Sequence, residues 1–165
     1  MTDINDIEIS DSTRKIMEGF DALWERVSAK PSQALFDEDE TLREFIKSEL
    51  CTASFDSALA RMLQNPGRAA FSAHASAAKL RARRLRGEYF IRTGVSYTPK
   101  EPCQGVTGKL ASLRMALERD IGMAKSYAAA AEKTALPELG QLYTAFAAER
   151  KNAAKETRSL ILDSF

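Results

Sequence analysis

Apolar residues recur every three or four positions along five stretches of this 165-residue chain, and this spacing predicts five α-helices. The first predicted helix covers residues 11–30 and is followed by a proline. Four longer helices are predicted over residues 39–63, 68–90, 109–134 and from 138 to the last residues. The fold class is therefore all-α, and we refer to the last four as the first to fourth long helices.

The connections between the long helices predict two helical hairpins. A turn of the sequence Gln-Asn-Pro-Gly at 64–67 joins the first pair, and Pro137 starts the short turn of the second pair. Residues 95–108 contain two prolines and two glycines and so predict one long, non-helical connection. We expect a tail with an accessory helix over 1–38 and a four-helix bundle over 39–165.

The two predicted hairpins resemble each other. Leu42 corresponds to Leu113 and Pro66 to Pro137, an offset of 71 positions (113 minus 42), and one further residue in the second turn makes the offset 72 afterwards. The repeat predicts two hairpins that bury their apolar faces against each other.

Carboxylates interrupt the apolar seams of the first and third long helices. The first seam alternates steps of four and three residues, and it comprises Leu42, Ile46, Glu49, Ala53, Asp56, Ala60 and Leu63. The third helix has Asp120 where the first has Glu49, and Tyr127 where the first has Asp56. A buried carboxylate needs a cation or a hydrogen bond. The alternative interpretation is that both carboxylates reach solvent along a groove.

This pattern resembles the ferritin-like superfamily, and in particular its rubrerythrin-like branch, over residues 39–162. Two five-residue motifs resemble a motif of this family: Phe-Ser-Ala-His-Ala, which begins at Phe71, and Tyr-Thr-Ala-Phe-Ala, which begins at Tyr143. The resemblance implies a ferritin-like four-helix bundle whose members carry a di-iron centre. Its ligands are a Glu on the first and third helices and a Glu-x-x-His on the second and fourth.

Four of these six ligand positions hold other residues. Glu49 and Asp120 remain as metal-ligand candidates, and the positions filled by non-ligands are Ala78, Arg81, Arg150 and Ala153. Shifting the alignment of the fourth helix by one residue would bring Glu149 and Asn152 to the Glu and His ligand positions, but the second helix would still have no ligands. The resemblance therefore implies a degenerate di-iron site in which no cofactor is expected, with iron as the metal if one binds.

The replacements suggest a substitute for the metal charge. Arg81 and Arg150 stand opposite Glu49 and Asp120, so we predict a partly buried ion-pair network among these four residues. The alternative is that both arginines extend to solvent from the bundle surface.

Charge and composition restrict the remaining possibilities. The net charge of +1 gives no general attraction to nucleic acid, and we expect the basic run from Lys79 to Arg92 to be solvated or paired within the chain. His74, the single histidine, is predicted to be a packed or edge residue. Cys51 and Cys103 lack metal-site spacing and are expected to be reduced thiols.

The start of the chain is acidic and polar, unlike a secretory signal, and no apolar run is long enough for a membrane span. A cytoplasmic protein without membrane or nucleic-acid partners is expected. Small residues on the third and fourth helices predict close packing of these two helices, with contact to a second copy as the alternative. A homodimer is expected because similar bundles often dimerise. The favoured function is a non-catalytic binding, regulatory or structural role. One alternative is an iron-binding or peroxide-handling protein with an altered metal site formed by Glu49 and Asp120, to which Glu149 can be added. The other is a module centred on the second helix that binds nucleic acid or another partner.

Overall fold

The computed structural model describes residues 33–165, with side chains from Glu38 onward. Its four helices are α1 (Gln33–Met62), α2 (Gly67–Thr93), α3 (Lys109–Lys133) and α4 (Pro137–Leu162). No strand occurs in this part of the chain, which confirms the all-α prediction. The predicted helix over 11–30 lies outside the described residues.

Helix boundaries agree with the sequence prediction to within a few residues. The largest difference is that α1 begins at Gln33, six positions before the predicted start at Asp39. The predicted stop near Gly94 is confirmed, because this glycine has a left-handed φ of 71° and its N–H donates to the Phe90 carbonyl. Pro137 occupies the first turn of α4, where its missing N–H costs no helical hydrogen bond.

The four helices form two hairpins that pack as a four-helix bundle. The most extensive contacts join α1 to α2 and α3 to α4, and the hairpins meet through α1 against α3 and α2 against α4. Leu42, near the start of α1, lies in one apolar cluster with Leu139 from the start of α4. The same cluster contains Leu85 from the end of α2 and Tyr127 from the end of α3. The connection from α2 to α3 therefore runs the length of the bundle.

This long connection is tied to α1 by a disulfide bond. Cys51 and Cys103 are its partners, so the prediction of two reduced thiols is wrong. The prediction failed because 52 positions separate the two cysteines, and only the crossing of the connection over α1 brings them together. Lys47 Nζ and Glu101 Oε2 add an exposed ion pair at 3.3 Å beside this bond.

The bundle interior contains two apolar clusters with polar side chains between them. One cluster includes Phe45 and Tyr143, and the other includes Phe55 and Phe71. The intervening level holds the buried charged residues Glu49, Asp56, Arg81, Asp120 and Arg150. None of the four described helices combines the length and apolarity needed to cross a bilayer.

A buried ion-pair centre as the candidate functional site

Glu49 is the central anion of the bundle. Its side chain is fully buried, and it accepts three hydrogen bonds from three different helices. Oε1 accepts from Arg81 Nε at 3.0 Å and from the Tyr127 hydroxyl at 2.7 Å, and Oε2 accepts from Arg150 Nη2 at 2.8 Å. These three donors replace the water that the carboxylate loses on burial.

Arg150 connects the two hairpins. Its guanidinium is 1% exposed and lies between two carboxylates, with Nη1 donating to Asp120 Oδ1 at 2.6 Å and Nη2 donating to Glu49. Nη2 also donates to Thr52 Oγ1 at 3.1 Å. One cation from α4 thus neutralises acidic side chains from α1 and α3.

Arg81 links the buried centre to the bundle surface. While Nε donates to Glu49, Nη1 donates to Glu149 Oε2 at 2.8 Å, and Glu149 is half exposed. Burial lowers the pKa of Arg81, but the ion pairs with Glu49 and Glu149 outweigh burial, so the pKa lies above its ordinary value. This guanidinium is permanently charged.

Asp56, two helical turns after Glu49 on α1, has fewer compensating contacts than Glu49. Arg119 Nη2 donates to Asp56 Oδ1 at 2.9 Å and reaches Asp120 Oδ1 at 3.4 Å. Burial is the largest influence on the pKa of Asp56 and raises it, because Arg119 opposes burial only in part and Asp120 adds repulsion. The second oxygens of both aspartates are buried and have no hydrogen-bond partner.

Tyr127 is a neutral donor at this centre. Burial, reinforced by the negative charge of Glu49, raises the pKa of Tyr127 far above its ordinary value. The hydroxyl therefore keeps its proton in the physiological pH range.

His74 lies at the edge of the centre, as the sequence predicted. Its Nε2 is 2.7 Å from Glu156 Oε2, and its ring lies edge-on to Phe71. Because Glu156 is a carboxylate, Nε2 is the nitrogen that carries the proton and donates. Nδ1 is buried without a partner.

The structure confirms the ion-pair network predicted from the sequence. Three ion pairs join Arg81 to Glu49, Glu49 to Arg150 and Arg150 to Asp120. All four side chains are at least 95% buried, so the alternatives in which the carboxylates or the arginines reach solvent are wrong. All seven positions of the predicted α1 seam are buried.

Two members of the network were missed by sequence reasoning. Arg119 precedes Asp120 in the chain and so lies off the seam, but its long side chain reaches across to Asp56. Thr52 is buried between seam positions, and no pattern singled it out. Glu149 was considered only as a metal ligand, whereas it pairs with Arg81.

The residues present do not fit a di-iron centre. The two retained carboxylates both contact Arg150, so a cation already occupies the space between them. Ala78 is fully buried and Ala153 half-buried at two of the replaced positions, and neither side chain can bind a metal. Within residues 38–165, no three His, Cys, Asp or Glu side chains are grouped closely enough to hold a metal ion.

A cleft of about 290 Å³ between α2 and α4 leads to this centre. Its walls include the small residues Ala73, Ala77 and Ala153. Its polar lining includes His74, Arg81, Asp120, Glu149, Arg150 and Glu156. The cleft therefore ends against Arg81, Asp120 and Arg150, whose side chains remain at least 95% buried.

No protein-family model, curated protein or solved structure matches this chain. The ferritin-like relationship therefore stays a prediction from the repeat and from the positions of the interior polar residues.

Proposed function

We propose that this protein is a ferritin-like helical bundle that has lost di-iron binding and acts as a non-catalytic binding, regulatory or structural protein. The observation that carries the proposal is the position of Arg150, whose guanidinium contacts both Glu49 and Asp120. These are the two acidic positions at which the family resemblance places metal ligands.

The chemistry of the centre supports a non-catalytic role. Its cations are guanidiniums, which do not release protons in the physiological range, and Tyr127 retains its proton. Glu49 has three donors on its two oxygens, which hold it in place rather than leave it free to accept a substrate proton. Ion pairs that join side chains of all four helices in this way favour one register of the helices.

Iron loading of the purified full-length protein tests the proposal. Fe(II) is added without oxygen, the protein is desalted, and the metal content per chain is measured for the wild type and for a Glu49→Ala, Asp120→Ala double variant. We expect substoichiometric iron in both proteins. Stoichiometric iron in the wild type that is lost in the double variant would overturn the proposal, and circular dichroism shows whether the variant remains folded.

The second candidate is an iron-binding or peroxide-handling protein with an altered metal site. The observation that favours it is the free oxygen of Asp120, which is buried, lacks a hydrogen-bond partner and belongs to a residue lining the cleft. Glu149 lines the same cleft. In the iron-loading experiment, this candidate requires bound iron and a further loss in a Glu149→Gln variant.

The cytoplasmic location and the homodimer stay predictions from the sequence, as does the absence of nucleic-acid binding. The disulfide between Cys51 and Cys103 bears on the first of these, because structural disulfides persist mainly in oxidising compartments. Measuring the redox state of the two cysteines in protein alkylated during cell lysis tests this point.

A further inference from the structure

A groove of about 380 Å³ lies between α1 and α2, the two helices of the first hairpin. Its floor includes Ala60 and Ala75, which are buried. Three cationic side chains and three hydroxyl groups also line it, and they belong to Arg61, Arg68, Lys79, Ser57, Ser72 and Ser76. No Asp or Glu within residues 38–165 contributes to this lining. We call this cavity the α1–α2 groove.

The groove lies in the most positively charged stretch of the chain. Residues 57–87 contain seven Lys and Arg residues and no Asp or Glu. The remainder of the chain has 17 basic residues (24 minus 7) and 23 acidic residues, a net charge of −6 (17 minus 23). The whole-chain charge of +1 therefore averages over a strong local excess of positive charge, which concentrates anions near the first hairpin.

The three cations of the groove have no anionic partner within the described part of the chain. Arg61, Arg68 and Lys79 are exposed, and none of them forms an ion pair with a residue in the range 38–165. Arg81 from the same stretch differs, because it is buried and pairs with Glu49. The groove cations are accessible to an anion from solution.

The hairpin brings these polar groups to two facing edges. Along α2 they are separated by steps of four, four and three residues and so lie on one side of the helix, in the order Arg68, Ser72, Ser76 and Lys79. Arg61 belongs to the last turn of α1, so it faces the start of α2 across the short turn. Two guanidiniums therefore stand at the turn end of the groove, and an ammonium group stands at the other end.

Several N–H and O–H donors of the groove are unused within residues 38–165. Arg68 Nε donates to the Leu63 carbonyl at 3.0 Å, which holds the guanidinium at the groove, while its Nη groups donate to no residue in that range. The Ser76 hydroxyl donates to the Ser72 carbonyl at 3.1 Å, but the hydroxyls of Ser57 and Ser72 form no hydrogen bond there. A ligand rich in hydrogen-bond acceptors would engage these donors.

We propose that the α1–α2 groove binds a small molecule that carries two or more linked phosphate groups. Phosphate oxygens accept hydrogen bonds from guanidinium, ammonium and hydroxyl groups, which are the three kinds of polar side chain in the lining. A guanidinium binds a phosphate through two parallel hydrogen bonds, and a lysine acts as a point charge. The lining has no carboxylate within residues 38–165 that would repel such a ligand.

The dimensions of the groove favour linked phosphates over a single phosphate. Arg68 and Lys79 are eleven residues apart on α2, about 16 Å at the helical rise of about 1.5 Å per residue. A single phosphate can contact only one end of the groove, whereas a chain of phosphates extends from the two arginines towards Lys79.

The bounded shape of the groove favours a small molecule over a polymer. Its volume of about 380 Å³ lies within the range typical of small-molecule sites. Arg83, Arg84 and Arg86 continue the positive charge along α2, but they do not line the groove. The proposal adds a ligand to the binding role and is independent of the loss of iron binding, because the groove shares no residue with the buried ion-pair centre.

Isothermal titration calorimetry of the full-length protein with inorganic phosphate, pyrophosphate and tripolyphosphate tests the proposal. Ionic strength is kept constant, because salt screens exposed charges. We expect the affinity to rise from phosphate to tripolyphosphate. An Arg61→Gln, Arg68→Gln variant should bind tripolyphosphate about a hundredfold more weakly, at about tenfold for each charged donor that is lost.

Lys79→Gln separates the two ends of the groove. It should weaken the binding of tripolyphosphate by about tenfold and leave the binding of phosphate unchanged, because a single phosphate at the arginines does not contact Lys79. All substituted residues are exposed, and circular dichroism establishes that the variants keep the helical fold.

Arg83→Gln, Arg84→Gln is the matched control, because it removes two exposed cations of α2 that do not line the groove. It should change the affinity for tripolyphosphate by less than about threefold, since exposed charges that do not contact the ligand are screened. A single-stranded oligonucleotide is titrated in parallel with wild type and with both double variants.

Three results would overturn the proposal. The first is no binding of pyrophosphate or tripolyphosphate, and the second is equal weakening by the groove variant and the control, which would indicate diffuse attraction to the basic surface. The third is an oligonucleotide that binds more tightly than tripolyphosphate and loses affinity in the control variant, which would assign the surface to nucleic acid. Iron loading is measured separately, so each of these failures leaves the proposed function unaffected.

Discussion

Replacing Arg150 by methionine should destabilise the bundle more than any other single change at its centre. Arg150 donates to Asp120, Glu49 and Thr52 and is 1% exposed, so its loss leaves Asp120 as a buried anion without that partner. Removing one partner of a buried ion pair costs about 3–5 kcal/mol. Methionine retains most of the apolar volume, so the cost reflects charge rather than a cavity.

Arg81→Met is the matched control for this prediction. Its loss still leaves Glu49 with Arg150 and Tyr127, and its other partner Glu149 is 50% exposed and can be solvated. We therefore expect a smaller loss, of about 1–3 kcal/mol.

Urea unfolding with the disulfide intact, followed by circular dichroism, gives the free energies of unfolding of both variants. Combining Arg150→Met with Asp120→Asn should restore part of the stability, because no buried charge is then left unpaired. A loss below about 1 kcal/mol for Arg150→Met, or a loss smaller than that for Arg81→Met, would refute the reasoning.

Three further predictions follow from the same contacts. Tyr127→Phe should lower the free energy of unfolding by about 1.5–3 kcal/mol in urea titrations, since it removes the 2.7 Å hydrogen bond to the Glu49 carboxylate, and an unchanged midpoint would contradict this. The pKa of Asp56 in the folded state is raised above its ordinary value of 3.8. The neutral carboxyl group therefore stabilises the folded state at pH values below 3.8, and this stabilisation is lost as the pH rises through the raised pKa. Asp56→Asn should therefore gain stability relative to wild type over that interval in urea titrations at several pH values, and a parallel pH dependence would argue against it. Replacing Cys51 and Cys103 by serine opens a loop with a sequence separation of 52 and should lower stability by about 4 kcal/mol in the chain-entropy picture, and a double variant as stable as wild type would exclude a structural role for the bond.

Much of the fold could be predicted because its information is local. The helices follow from apolar spacing, and the breaks follow from residues such as Pro66, Gly94 and Pro137, whose backbone limits are intrinsic. The interior position of Glu49 and Asp120 followed from the same periodicity, since a residue in step with buried leucines must itself be buried.

What could not be predicted depends on contacts between distant segments. The Cys51–Cys103 bond requires knowledge of the path of the long connection, which contains no periodic pattern. The role of Arg119 depends on how far a flexible side chain extends from a position off the seam. The choice of Arg81 partners, Glu49 inside and Glu149 at the surface, depends on the rotation of α4 against α2.

We propose that Arg81 and Arg150 occupy the place that a metal would take in a ferritin-like bundle. The most direct test is a crystal structure of the protein after anaerobic Fe(II) loading, with anomalous diffraction measured at the iron absorption edge. We expect no iron peak at the bundle centre and an Arg150 guanidinium between Glu49 and Asp120. An iron peak bound by these two carboxylates, with Arg150 displaced towards solvent, would contradict it.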